Sequence, residues 1–308
     1  MTHPDILVLG TFVVDAAFRA ARQPKMGETL IGEKFTMGPG GKGSNQAVAA
    51  ARLGARVGFV SRIGTDAFGR MAIDLWAEEG ITPFVHEDPG SDTGCAYIFV
   101  EAGTGNNAII IVPGAAMQLS AEDMRGWHDA IANARIFLTQ LETPLEASRT
   151  GLEIARESGT TTLFNPAPAQ RLDAGFLSLC DFVIPNESEA EILTGFDDIG
   201  LHNAREAAAT LQQQGAGTVI LTLGEQGAFV HEDAESSIHI PAMDCGPVVE
   251  TTGAGDSFCG AFAHALIEGA DTVKATRYAV AAASLSVTRP GTAPAMPSGE
   301  DVAEHFVL

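Results

Sequence analysis

Short apolar runs alternate with helix-forming stretches along almost the whole chain, and this alternation limits the possible folds more than any other feature. Ile6–Leu9, Val57–Ser61, Ile136–Leu138, Thr161–Phe164, Phe182–Ile184 and Thr218–Thr222 read as strands. Between them the periodicity predicts helices over Ser44–Leu53, Asp66–Glu79, Ala121–Ala132, Leu145–Glu157, Glu187–Leu193 and Asn203–Gln213, with Gly54 as a C-cap for the first. Strands separated by helices pair in parallel and bury both faces. The expected fold is therefore α/β: a doubly wound, mostly parallel sheet flanked by helices. A chain of 308 residues, 45% of them hydrophobic, has ample material for a large core. No internal repeat, low-complexity tract or linker interrupts it, so residues 1–308 are expected to form a single domain.

Two stretches leave the rhythm. Gly27–Met37 alternates like a half-exposed strand pair, and Gly94–Val112 reads as two strands, CAYIFVEA and NAIIIV, joined by the turn GTGNN. Such strands either build a small sheet projecting over a site or extend the main sheet at its edge; the pattern alone fits both. Gly227–Ile240 reads as an antiparallel pair around the acidic turn EDAES, and Asp271–Thr288 as a long alanine-rich helix.

The formal net charge is −21, which repels nucleic acid and anionic membrane surfaces, so neither is an expected partner. The same charge repels phosphates at long range, and a phosphate-handling site here needs backbone amides, a lysine and a metal ion close by. The acidity also suits a salt-rich cytosol, where self-repulsion is screened. No secretory signal is expected from the opening MTHPDILVLGTF, and no apolar run reaches the length of a membrane span. Cys95, Cys180, Cys245 and Cys259 form no CxxC pair, which argues against zinc and fits buried thiols in a reducing cytoplasm.

Three segments carry chemistry. In TTGAGD, residues 251–256, glycines permit unusual backbone angles just before an apolar helix. If the helix begins near Gly255, the amides of Gly253, Ala254 and Gly255 converge as an anion hole. Asp256 beside that hole is the wrong group for holding an anion but the right one for taking a proton from an attacking hydroxyl. The plainer alternative is an aspartate stabilised by the helix dipole. In GPGGKGSNQ, residues 38–46, four glycines lead into a helix, and Lys42 and Asn45 offer donors for hydroxyls or phosphate. This is not a Walker A loop, because Thr36 stands where the first glycine is required. In PNESEAEILTG, residues 185–195, Asn186 and Glu189 share a helix face. They suit either magnesium held through water or a capping box.

Taken together and in this order, these segments resemble the ribokinase-like carbohydrate kinase family, also called PfkB. GGKGSNQAVAAARLGA at 40–55 resembles the family's first signature and TTGAGDSFCGAF at 251–262 its second. QLETPLEA at 140–147, NPAPA at 165–169, PNESEAEILTG and LTLGEQGA at 221–228 add further likeness, so that the resemblance spans nearly the whole chain. It implies a β-sheet lid, formed by about residues 11–38 and 93–112. It implies ATP-dependent phosphorylation of a primary hydroxyl of a pentose, D-ribose to ribose 5-phosphate in the first instance, with Mg2+ and with K+ as an activator. Another sugar, a nucleoside, or a non-catalytic sugar or nucleotide binder on the same fold are the alternatives.

By position, the resemblance assigns Asp15, Gly41, Lys42, Asn45 and Glu142 to the sugar, together with Asp256 as base. Gly253, Ala254 and Gly255 become the anion hole. Asn186, Thr222, Gly224, Gly227 and Gly255 go to the nucleotide, and Glu189 to hydrated magnesium. Glu250, Thr252, Ser286, Arg289 and Gly291 go to a monovalent cation. It also implies a homodimer joined through the lid, whose apolar strands exceed what a thin flap hides against its own domain. Four positions depart from the family pattern. Val13 replaces an asparagine, Glu250 an aspartate, Ala295 a serine, and Val280 a polar residue near the adenine.

Overall fold

A computed structural model describes residues 3–104, 106–306 and 308. The first half of the chain runs β1 Ile6–Leu9, β2 Val13–Ala20, β3 Lys34–Gly40, α1 Lys42–Arg52, β4 Val57–Gly64, α2 Ala67–Glu78, β5 Thr82–Asp88, β6 Thr93–Glu101 and β7 Asn107–Gly114. Then follow α3 Ala121–Gly126, α4 His128–Ala132, β8 Ile136–Thr139, α5 Leu145–Glu157, β9 Thr161–Phe164, β10 Phe182–Val183, α6 Glu187–Thr194 and α7 Ala204–Gln213. The chain closes with β11 Thr218–Thr222, β12 Ala228–His231, β13 Ser237–Ile240, α8 Ala254–Ile267, α9 Thr272–Ser286 and α10 Gly299–Ala303.

Nine strands form one sheet in the order β13-β12-β11-β10-β9-β8-β1-β4-β5. The pairs from β5 to β11 are parallel, and β12 and β13 close one end antiparallel. Alternation along β1 feeds two cores: Ile6 and Val8 join one apolar cluster with Phe59, Trp76 and Phe262, while Leu7 and Leu9 join another with Phe137, Phe164 and Phe176. The winding reverses between β1 and β8, since the chain goes from β1 to β4 and β5 on one side and from β8 to β11 on the other. In open α/β sheets the crevice beyond the strand ends at such a reversal is where ligands bind.

The remaining strands form a separate four-stranded sheet, β3-β2-β6-β7, with β2 and β6 parallel and both outer pairs antiparallel. The edge-extension alternative is thereby excluded. The expected strand pair at Gly27–Met37 is not formed: only Lys34–Gly40 is strand, and its partner is Val13–Ala20. Val13–Ala20 lies within the lid span of about 11–38, though Asp15 and Arg19 interrupt its apolar pattern. The turn joining β6 and β7 includes Gly105, which lies outside the described residues. β5, absent from the sequence expectation, carries Pro83 and the polar run His86–Asp88; it is an edge strand of the large sheet, where proline is tolerated. The helix expected over Ala121–Ala132 breaks after Gly126 into two short ones.

Helix α8 is apolar almost all round and is buried between α1 and α9. Its approach to α1 is close at Gly260, where a Cβ would stand 2.5 Å from the Gln46 carbonyl oxygen and 2.9 Å from the Ala50 amide nitrogen. That crossing places Asp256, one turn earlier on α8, against the first turn of α1. All four cysteines are free; Cys180 and Cys259 are buried, but Cys95 and Cys245 are only half-buried. Among the described residues no helix is long and apolar enough to cross a membrane.

Candidate active site

Two helix N-termini and two strand ends meet at the reversal of the large sheet. β1 delivers Gly10 and Thr11, β8 delivers Gln140–Glu142, and α1 and α8 present Lys42–Gln46 and Gly253–Asp256. Both helices start from a glycine with positive φ, Gly41 at 91° and Gly253 at 86°, a conformation that other residues adopt only with strain. Helix α8 begins at Ala254 rather than Gly255. The Ala254 amide donates to the Thr251 carbonyl at 3.2 Å, so it is already engaged in a turn. Among the described residues the amides of Gly253, Gly255 and Asp256 have no acceptor within the chain. The free donors at this helix start therefore include Asp256's own amide in place of Ala254's.

Asp256 is 7% exposed. Its Oδ2 accepts from Asn45 Nδ2 and its Oδ1 from Gln46 Nε2, each at 3.0 Å. Burial pushes its carboxyl up to about 6, against the pull of Lys42 and of those two amide donors. Burial works against the Lys42 ammonium too, but the carboxylates of Asp256, Glu142 and Glu189 outweigh it and hold that group above its ordinary range. Lys42 forms no ion pair among the described residues. Asn45 is buried, and its Oδ1 has no partner among the described residues, which leaves one acceptor for a ligand hydroxyl.

The other sugar candidates gather beside this pair. Glu142 Oε2 accepts from the Thr11 hydroxyl and, at 3.0 Å, from the Lys42 backbone amide. Asp15 stands on β2 of the small sheet, and a Cβ at Gly40 would lie 2.3 Å from its Oδ2, so any side chain there would displace the Asp15 carboxylate. Burial and then the nearby carboxylates of Glu142, Asp256 and Glu250 push the Asp15 carboxyl up to about 6. Among the described residues no donor pairs with it. The loop behind α8 is tied to the small sheet as well, through Thr292 Oγ1 donating to the Pro39 carbonyl at 3.1 Å.

The nucleotide candidates lie at the ends of β10 and β11. Asn186 bridges to Thr222, whose amide donates to the Pro185 carbonyl at 2.9 Å. Asn186 caps α6 in a full capping box: Glu189 N–H donates to its Oδ1 at 2.8 Å, and Glu189 accepts from the Asn186 amide at 2.9 Å and its Nδ2 at 3.0 Å. Burial pushes the Glu189 carboxyl up, opposed by the Asn186 amide and Lys42. Each Glu189 oxygen thus accepts one donor and keeps a lone pair, a fit for an outer-sphere acceptor of metal-bound water. Gly224 and Gly227 have φ of 51° and 90° and shape the turn after β11. Val280 is buried in α9.

The monovalent-cation candidates are partly committed to the chain itself. Glu250 Oε2 accepts from the Gly291 amide at 2.8 Å, and the Ser286 carbonyl accepts from the Arg289 amide at 3.2 Å. The Arg289 side chain pairs with Asp301 at 3.0 Å, while Thr252 is exposed. Ala295 is buried in a 3-10 turn. Among the described residues no group of three His, Cys, Asp or Glu side chains is arranged to hold a metal ion.

Sequence reading missed the layer beneath these groups. Gln46, Gln140 and Asn165 are buried; Gln140 and Asn165 each bond Gln46, and Gln46 reaches Asp256 directly. A signal was present: three polar residues, Ser44, Asn45 and Gln46, open an otherwise alanine-rich helix, and all three point inward.

Relatives match the chain over nearly its whole length. A family model described as pfkB family carbohydrate kinase matches residues 3–299. The chain is 40% identical over 302 residues to a ribokinase of Haemophilus influenzae, covering 98% of both chains. It is 39% identical over 307 residues to a deoxyribokinase of Salmonella typhi, covering 99% of both. A ribokinase of Arabidopsis thaliana, solved with ribose and ATP, superposes with a TM-score of 0.90 at 30% identity, covering 99% of this chain and 100% of that one. With a nine-stranded sheet, a separate small sheet and both glycine-led helix starts in place, the chain belongs to the pfkB family of carbohydrate kinases.

Proposed function

We propose that the chain transfers the γ-phosphoryl group of ATP to the primary hydroxyl of a pentose, with D-ribose as the first candidate. Family membership makes it a kinase acting on the alcohol group of a sugar. The observation that carries the finer reading is Asp256: a buried carboxylate in the first turn of α8, beside the free amides of Gly253 and Gly255. In the proposed step the hydroxyl proton passes to Asp256 as the hydroxyl oxygen bonds to the γ-phosphorus. The bond from that phosphorus to the bridging oxygen breaks, and its electrons leave with ADP. The helix-start amides and Lys42 neutralise charge on the transferring group.

Asp15 and Glu142 accept hydrogen bonds from vicinal hydroxyls and fix the ring, with Asn45 and the Gly41–Lys42 turn beside them. Asn186, Thr222, Gly224 and Gly227 border the nucleotide. Glu189 would accept from the waters of a magnesium ion bound with ATP, and that ion would supply charge neutralisation at the phosphates. Potassium is proposed with a narrower role. Glu250 keeps its Oε1 and the Ser286 carbonyl one lone pair for it, but the Glu250–Gly291 bond already joins the two loops.

A specific observation favours a second reading. Val13 stands two residues before Asp15 on β2, hence on the same strand face, and is buried. An apolar group there suits a sugar lacking one hydroxyl, so 2-deoxyribose is the second candidate. A coupled ADP-release assay over ribose, 2-deoxyribose, other pentoses and nucleosides tests both. Turnover with either pentose, dependent on ATP and Mg2+, is the expected result. Preference for a nucleoside, or ligand-induced thermal shifts without turnover, would overturn the reading.

The small sheet also supports a homodimer. Its register sets Asp15 on the face opposite Phe18, Phe35, Met37, Ile110 and Val112, all of which are exposed. A lid-to-lid dimer covers that apolar face and leaves the Asp15 face to the sugar.

A further inference from the structure

Gln46 is fully buried at the start of the second turn of α1, where an alanine-rich helix has no structural need of an amide. Its side chain is fully used. One amide hydrogen goes to Asp256 Oδ1 at 3.0 Å, the other to Asn165 Oδ1 at 3.1 Å, and its oxygen accepts from Gln140 Nε2 at 2.6 Å. The neighbours fix the sense of this chain. Asn165 Nδ2 donates to the Ile184 carbonyl at 2.9 Å, so Asn165 must offer its oxygen to Gln46. With both Gln46 amide hydrogens taken by Asp256 and Asn165, its oxygen faces Gln140, which follows β8 and donates to it; Gln140 Oε1 itself has no partner among the described residues. Reversing any one amide would set donor against donor or acceptor against acceptor in a buried site.

We infer that Gln46, locked by Gln140 and Asn165, is a positioning residue that aims the Asp256 carboxylate at the acceptor hydroxyl and keeps it ionised. This rests on the proposed base role of Asp256. With Asn45 on Oδ2 and Gln46 on Oδ1, two successive residues of α1 fix the carboxylate plane. Five other ionisable groups face Asp256: Lys42 from α1, Glu142 from the loop after β8, Asp15 from β2, Glu189 from α6 and Cys259 from α8 itself. Lys42 is the one cation among them, so the amides supply support that the surrounding carboxylates oppose.

The test is the pH dependence of kcat/KM in the full-length chain with the pentose it turns over. Gln46→Met, similar in shape but without a donor, is expected to move the acid limb upward by about one pH unit and to lower kcat about tenfold at neutral pH. The KM for the sugar should stay within about threefold, and activity should recover toward the parent as pH rises. A merely structural role would not yield that recovery. Gln140→Met, which frees Gln46 to rotate, should shift the same limb by less. An acid limb of Gln46→Met that overlays the parent overturns the inference. If that variant does not fold, Gln140→Met decides in the same way. Asp256→Asn measured alongside separates the two layers. Near-normal turnover there removes the base, whereas an inert Asp256→Asn with an unmoved limb in Gln46→Met removes only the positioning role.

Discussion

Around Asp256, Gln46, Gln140 and Asn165 hold one another in a single sense, whereas on the outer face of the small sheet Phe18, Phe35, Met37, Ile110 and Val112 lie exposed. The first region spends buried polar groups to fix geometry. Leaving any of them unpaired costs about 1–3 kcal/mol, so the network tolerates one arrangement. The second spends apolar surface that has no use within its own chain. Phe18 packs on Phe35 and Tyr97 at ring-centroid distances of 4.8 and 5.7 Å, a cluster that is formed yet still open on one side. Buried amides paired around one carboxylate mark the first region, and exposed apolar side chains mark the second, the face on which the lid-to-lid dimer is proposed.

The contrast can be broken most severely at its buried end. Asp256→Asn should lower turnover roughly 10²–10⁴-fold while the melting midpoint and nucleotide binding persist; near-normal turnover would show that the base lies elsewhere. Acidification probes the same end without mutation. Burial pushes the Asp15 and Asp256 carboxyls up to about 6, and in the proposed reading both act as carboxylates, so activity should be present above that value and lost as pH falls through it. From pH 7 to pH 5 kcat/KM should drop about 10–100-fold, since one or both groups must be ionised. A flat profile over that range would contradict the assignment.

Asp15→Ala tests the seam between the two regions and should raise the sugar KM roughly tenfold, with a smaller change in kcat. An equal loss in kcat would place Asp15 in the chemical step instead. At the exposed end, Ile110→Glu should shift the chain toward monomer in sedimentation while kcat stays within about twofold. A monomeric parent would remove the lid-to-lid dimer. Smallest of all, exchange of K+ for Na+ should change turnover only a few-fold, because Glu250 already holds Gly291. A much larger response would show that the cation, not this bond, organises the loop.

Much of this was legible before any coordinates. β1, α5, β9 and β11 fall at the bounds read from apolar periodicity, because buried parallel strands and amphipathic helices obey one rule along their whole length. β2 and β5 escaped because Asp15 and Pro83 serve a site and a sheet edge, and both break the pattern. The glycine-led segments announced the helix starts. That Ala254 spends its amide on Thr251 follows from the turn entering α8, whose register no spacing reveals. Gln140 and Asn165 open two of the segments that carry the family likeness, but their role was not legible there, since residues 94 and 119 positions from Gln46 become its partners only after the sheet reverses.

One consequence follows from Asp15 standing on the small sheet while Asp256 stands on the buried helix. In the proposed reading a pentose spans both supports, whereas a water molecule touches only one. Idle ATP hydrolysis should therefore be slow, with the enzyme guarding its phosphate donor by requiring an acceptor large enough to be gripped from two sides.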